Sequence, residues 1–241
     1  MSDIGVSGIG LSGTGASGIG ASGAPDQREP RGPIDLVTLA AILDGMLAAR
    51  TASAPLLVGL AGEPGAGKST AAAQLAALLP GSSVLPMDGF HFPQAQLVSL
   101  GRRERMGAPD TFDVEAFVAL LVSLRDLHNS GVTVFAPGFD RRVEERMPHA
   151  LALTPELRCI IVEGNYLLLD DHGWQRVAPL LDQTVGVVLD EATRLERLIA
   201  RHIAFGKTPD AARTWALGPD QANAALIAPT LARADHLLSA Q

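Results

Sequence analysis

Residues 56–79 read "LLVGLAGEPGAGKSTAAAQLAALL". A run of apolar residues passes through glycines and a lysine into a stretch rich in alanine. The run Leu56–Leu60 is short and continuous, as expected of a strand buried on both faces of a parallel sheet. The segment from Lys68 to Leu79 has helical character. Between them, Gly62, Gly67, Lys68 and Ser69 satisfy G-x-x-x-x-G-K-[ST]. Glycines at these places let backbone N–H groups close around phosphate oxygens, and the following helix adds the partial positive charge of its N-terminus. Lys68 can then reach the outer phosphates, and the Ser69 hydroxyl can ligate Mg²⁺. The loop is read as a nucleoside triphosphate site. Its candidate binding residues are Gly62, Glu63, Pro64, Gly65, Ala66, Gly67, Lys68, Ser69 and Thr70.

Outward from this loop, strands and helices alternate. Asp35 stands before a helical pattern at Leu36, Leu39, Ile42, Leu43 and Leu47. Strands are expected at Ser83–Pro86, Val132–Ala136, Cys159–Val162 and Thr184–Leu189, with "ADHLLS" (234–239) as a last one. Helices are expected near Val114–Leu127, Trp174–Leu181 and Glu191–Phe205, with a helical pair from Pro209 to Arg233. The fold class is α/β: a parallel sheet flanked by helices on both faces, with ligands at the carboxyl ends of its strands.

Composition narrows the function. Of 241 residues, 47% are hydrophobic, enough for a sizeable core, and the net charge of −7 argues against a nucleic-acid binder. The single cysteine, Cys159, cannot form an internal disulfide and lies in an apolar run, which favours a reducing, cytoplasmic setting. No uncharged apolar run approaches the ~18 residues of a membrane span, so no membrane partner is expected. The N-terminus lacks the basic start of a signal peptide. It repeats "VSGIG", "LSGTG", "ASGIG" and "ASGAP", a composition that orders poorly. Residues 1–32 are therefore read as a flexible Gly/Ser-rich tail and 33–241 as the folded domain.

Three further features bear on chemistry. "LPMDGFHF" (85–92) puts Asp88 at a strand's carboxyl end, where a carboxylate can take a proton from an attacking hydroxyl; the plainer alternative is an Asp-Gly turn. "CIIVEGNYLLL" (159–169) ends a strand on Glu163, the position of an acid that helps hold Mg²⁺. "TRLERLIARH" (193–202) places Arg194, Arg197 and Arg201 at spacings of three and four, and Lys207 follows. A mobile helix can bring such arginines onto a transferring phosphoryl group, although solvated pairing with Glu191 and Glu196 would give the same pattern. "GAPDTFD" (107–113), with Asp110 and Asp113, and "APGFDRRVEERMP" (136–148), with Asp140, Arg141 and Arg142, look like acceptor-site loops. Arg102, Arg103 and Arg105 of "GRRERMG" are read as solvated surface.

In this order, "GEPGAGKST", "MDGFH", "GAPDTFD", "FDR", "VEGNYLLL" and "RLERLIARH" resemble the uridine kinase, phosphoribulokinase and bacterial pantothenate kinase superfamily. The likeness runs from about Leu56 to Leu238 and is nearest to bacterial members called nucleoside or nucleotide kinase-like, some with provisional fructose or sugar kinase labels. It implies the P-loop NTPase fold with a small helical lid, ATP and Mg²⁺ as cofactors, and a small-molecule phosphate acceptor. By resemblance, Asp88 is the catalytic base, with Lys68 and Arg201 acting on the phosphates and Ser69 with Glu163 at the metal. Arg194 and Arg197 are lid arginines on the nucleotide. Uridine kinases carry Ser-Phe-Tyr after the base where this chain has Gly-Phe-His. His91, Arg141, Asn165 and Tyr166 are therefore the residues expected to choose the acceptor. A homodimer is left open. The alternative class is a nucleotide-binding sensor without phosphotransfer. A GTPase switch is disfavoured, because "DDHG" (170–173) has no N-K-x-D partner motif.

Overall fold

The computed structural model describes residues 32–50 and 54–240. The expected Gly/Ser tail, apart from Gly32, lies outside the described residues. In chain order the elements are α1 (Leu36–Ala49), β1 (Leu56–Gly62), α2 (Lys68–Leu78), β2 (Ser82–Pro86), α3 (Gln94–Ser99), α4 (Val114–Leu124), α5 (Leu127–Ser130), β3 (Val134–Asp140) and β4 (Glu145–Leu153). They continue with β5 (Cys159–Gly164), β6 (Gln183–Val188), α6 (Glu191–Ala204), α7 (Pro209–Trp215), α8 (Gln221–Ile227) and β7 (His236–Ser239). The five-stranded sheet has the order β2-β5-β1-β6-β7, and every pairing in it is parallel.

Strand alternation sorts the core onto the two sheet faces. Leu57, Ala61, Ile160 and Val162 point into one apolar cluster with Phe117, Tyr166 and Trp174. Leu56, Val58, Leu60 and Ile161 point into the other, under α1 and α2. Helix α1 starts where the Asp35 carboxylate accepts the Thr38 N–H at 2.7 Å. It buries Leu39, Leu43 and Leu47 along one stripe. In α2, buried Ala71 and Ala72 bring the helix close over β1.

Two expectations are corrected. The segment Val132–Ala136 does not join the parallel sheet: β3 pairs antiparallel with β4 in a separate ribbon. Its register shifts between Ala136 and Gly138, around Pro137, and β4 contains Pro148. Neither proline has an N–H for a ladder, which suits an exposed ribbon and not a buried central strand. The helix expected over Trp174–Leu181 is instead two 3₁₀ turns, Trp174–Arg176 and Ala178–Leu180. Gly173, at φ +90°, breaks the chain before them and Pro179 removes a helical donor. The C-terminal helical pair is present, but a π-turn at Ala216–Asp220, containing Pro219, joins α7 to α8. Among the described residues no helix is long and apolar enough to cross a membrane.

Candidate active site

The phosphate loop leaves β1 at Gly62 and enters α2 at Lys68. Its glycines are required by space and by conformation. A Cβ on Gly62 would stand 2.8 Å from the Val187 carbonyl oxygen, and one on Gly65 2.8 Å from that of Arg194. Gly65 and Gly67 hold φ of +85° and +92°, the left-handed region that disfavours side chains. Lys68 is buried and its Nζ donates to the Glu63 carbonyl at 3.0 Å, folding the side chain over the loop. Burial pushes the Lys68 ammonium down to about 8, a trend opposed by Glu163 and Asp88 and reinforced by Arg201 and Arg141. Bound phosphates would restore the charge. MgATP affinity is therefore expected to fall as pH rises through about 8, with proton uptake on binding. Calorimetry in buffers of different ionisation enthalpy measures that uptake, and its absence at pH 8.5 would refute the expectation.

The two carboxylates meet because their strands are neighbours. Glu163, on β5, is the register partner of Pro86 at the end of β2, and Asp88 follows in the 3₁₀ turn Met87–Phe90. The Ser69 hydroxyl donates to Glu163 Oε1 at 3.0 Å, which ties the loop to β5. Asp88 forms an ion pair with Arg141, from the turn between β3 and β4, and its side chain stays 24% exposed. Burial pushes Asp88 up, but Arg141, His91, Lys68 and Arg201 outweigh it and hold the carboxyl below its usual range. Glu163 moves the other way, raised by burial and by the like charge of Asp88. His91 Nδ1 donates to the Asp88 carbonyl at 2.8 Å, and its ring lies against Phe112 and Phe139 at centroid distances of 3.9 and 4.7 Å. Burial lowers the His91 pKa, favouring the neutral ring. The Asp-Gly pair has its own reason: a Cβ on Gly89 would come within 2.7 Å of the Pro137 carbonyl carbon, so β3 passes directly over the turn.

The three arginines of α6 part company. Arg194 is 1% exposed and lies beneath the loop, with Nη1 donating to the Pro64 carbonyl at 3.1 Å and Nη2 to Gln221 Oε1 at 2.7 Å. Its Nε, without a hydrogen bond, stands 3.6 Å from the Glu63 carboxylate. That position does not match the lid role expected of it. Arg197 is exposed, with Nη1 3.9 Å from where a Cβ on Gly67 would stand. Arg201 lines the cavity, its pKa lowered by burial and by Arg141.

These elements surround a cavity of about 150 Å³ that runs from Lys68 and Ser69 past Asp88 to the C-terminal helices. A family model described as "Phosphoribulokinase / Uridine kinase family" matches residues 57–240. The chain belongs to this family. A solved structure from Silicibacter sp. TM1040, provisionally named a fructose transport system kinase, is 37% identical, with a TM-score of 0.74 over 83% of this chain and 98% of that one. YggC of Escherichia coli K12 is 37% identical over 173 residues, 69% of this chain and 70% of the relative. The ATP-dependent kinase-like protein notR' of Aspergillus versicolor is 40% identical over 131 residues, 52% and 76% respectively. The chain is thus a P-loop kinase of the uridine/pantothenate kinase type, a phosphotransferase with a hydroxyl acceptor that uses ATP on a small molecule.

Within this kinase, His91, Arg141 and Asn165 line the cavity. Tyr166 does not. It is fully buried, its hydroxyl donates to the Gly107 carbonyl at 2.5 Å, and its ring packs edge-on to Phe112. An aromatic followed by three leucines, Leu167 to Leu169, belongs to the core, so Tyr166 fixes the 107 loop and does not line the cavity. Asp113 caps α4 by accepting the Ala116 N–H at 3.0 Å, and Asp110 pairs with Arg102 and Arg105. Arg103 pairs with Glu144, so none of these three arginines is merely solvated. Asp140 and Arg142 pair with each other at the ribbon's exposed end.

Sequence reading missed Glu144, His202, Asp220 and Asn223, all of which line the cavity. The one local signal was Gly218-Pro219 inside a helical pattern, the mark of an irregular turn that aims Asp220 inward. The donor set at the loop fits Mg²⁺. Among the described residues no group of three or more His, Cys, Asp or Glu could hold a metal. One hydroxyl and one or two carboxylates suit a hard ion that takes its remaining ligands from phosphate and water.

Proposed function

We propose that this kinase, over residues 33–241, transfers the γ-phosphate of MgATP to a hydroxyl of a nucleoside, a pantothenate-like molecule or a sugar. One observation carries the reading: Asp88 opens into a cavity whose adjoining wall is Lys68, Ser69 and Glu163. The loop backbone from Gly62 to Thr70 and Lys68 hold the triphosphate, and Arg197 approaches it from α6. Ser69 and Glu163 would hold Mg²⁺, which when bound neutralises phosphate charge. Asp88 accepts the proton of the acceptor hydroxyl as its oxygen bonds to the γ-phosphorus; the bond to the bridging oxygen breaks and ADP leaves. Arg201 stabilises the charge on the transferring group. His91, Arg141 and Asn165 face the acceptor. A reducing, cytoplasmic setting suits Cys159, whose thiol burial pushes up to about 12. The test is ADP release with MgATP across nucleosides, pantothenate and sugars, with Lys68→Ala as the blank. Turnover stimulated by one acceptor supports the reading. ATP binding with no stimulated release favours a sensor.

A further inference from the structure

The charged groups at the acceptor end of the cavity are already paired with one another. Arg141 is held by Asp88. Glu144, at the tip of the β3–β4 ribbon, gathers Arg103 from the preceding loop and Lys207 from the segment after α6, the latter at 3.8 Å. Lys207 also stands over the Trp215 ring, 4.6 Å from its centroid. His202 Nε2 lies 2.6 Å from Asp220 Oδ2. Among the described residues Arg201 is the cavity-lining cation with no hydrogen-bonded or ion-paired partner, Lys68 donating to the Glu63 carbonyl, and the charges of Arg141, Asp220, Asp88 and Glu163 act directly on it. An acceptor bearing its own phosphate or carboxylate would therefore meet no free cation away from the phosphate-transfer centre. It would face the carboxylates of Glu144 and Asp220 instead, and like charges at close range in a shielded site repel one another.

The same wall is rich in groups that read hydroxyls. The π-turn Ala216–Asp220 delivers Asp220 to the cavity, and α8 places Asn223 three residues later on the same face. Asn223 is 5% exposed and its Nδ2 donates to the Gly107 carbonyl at 3.2 Å, which occupies one of two amide donors and leaves the side-chain oxygen. Asn165 supplies a second amide. Phe139 and Trp215 add flat apolar faces suited to the C–H side of a ring. We propose that the acceptor is an uncharged polyhydroxylated molecule, a free sugar or the ribose of a nucleoside, recognised through its hydroxyls by Asp220, Asn223 and Glu144. This assignment rests on the phosphotransfer reading above.

Matched pairs test it: fructose against fructose 6-phosphate, ribose against ribose 5-phosphate, uridine against uridine monophosphate, and pantothenol against pantothenate. ADP release by the full chain with MgATP gives kcat/KM for each. The neutral member of at least one pair is expected to be about 100-fold the better substrate, and comparing the sugar and uridine pairs identifies the source of the hydroxyls. For that acceptor, Asp220→Asn should raise KM about 10-fold with kcat little changed, its melting temperature serving as the folding control. Preference for an anionic member overturns the proposal and leaves the kinase reading standing. An unchanged KM in a folded Asp220→Asn protein overturns the role of that wall. If no member of any pair stimulates release, the proposal and the phosphotransfer reading fall together.

Discussion

Asp88→Asn is expected to lower kcat by about 10³-fold while leaving MgATP affinity within a few-fold, because a positioned general base contributes about 10²–10⁴ to such a step. The amide keeps the shape of the carboxylate and can still meet Arg141, but it cannot take the acceptor's proton. Single-turnover phosphate transfer separates this from binding, which nucleotide titration follows independently. Equal losses in both would mean that Asp88 holds the nucleotide and does not act on the acceptor. The pH profile carries the same logic with a fixed sign. Arg141, His91, Lys68 and Arg201 hold Asp88 below its usual range against the opposing effect of burial. The ionised carboxylate is therefore present throughout neutral pH and is lost only as pH falls below the range of an ordinary carboxylate. Arg141→Met removes the ion-pair partner, so the acid limb of kcat should move to higher pH.

The second large effect is on stability. Arg194→Met retains volume but takes the donors away from the Pro64 carbonyl and from Gln221, and it leaves Glu63 facing an apolar chain. Removing one member of a buried charged network typically costs about 3–5 kcal/mol. A loss near the lower end of that range is expected in urea denaturation, together with a weaker MgATP affinity as the loop loosens. Arg194→Lys should not restore it, since one ammonium cannot span the Pro64 and Gln221 oxygens as the guanidinium fork does. Unchanged stability with lost ATP affinity would point instead to direct contact with nucleotide. The distinction matters because Arg194, Arg197 and Arg201 are indistinguishable as a sequence pattern, and only one of them is buried below the loop.

Features decided by neighbours along the chain could be read from residues alone. The apolar run of β1, the glycines with positive φ in the loop, the cap at Asp35 and the period of α6 are properties of short segments. So are the carboxyl-end positions of Asp88 and Glu163, because strands that alternate with helices must run parallel and carry their loops to one edge. Glu144 and Asn223 were invisible because nothing local marks a polar side chain as facing a cavity, and for Asp220 the one local sign was the Gly218-Pro219 irregularity. Tyr166 was misread for the complementary reason: its motif lies beside Glu163, yet alternation past the strand end turns the ring into the core.

The sequence by itself determined a parallel α/β unit with a triphosphate loop, two carboxylates at strand ends and a basic helix after the last core strand but one. Short-range sterics and periodicity suffice for that. The tertiary structure decided what those groups meet. It brought Arg141 to Asp88 across 53 residues, set Arg194 under Pro64 across 130, and folded "APGFDRRVEERMP" into a ribbon beside the cavity. Such pairings depend on how separately formed elements pack, and no local propensity encodes them.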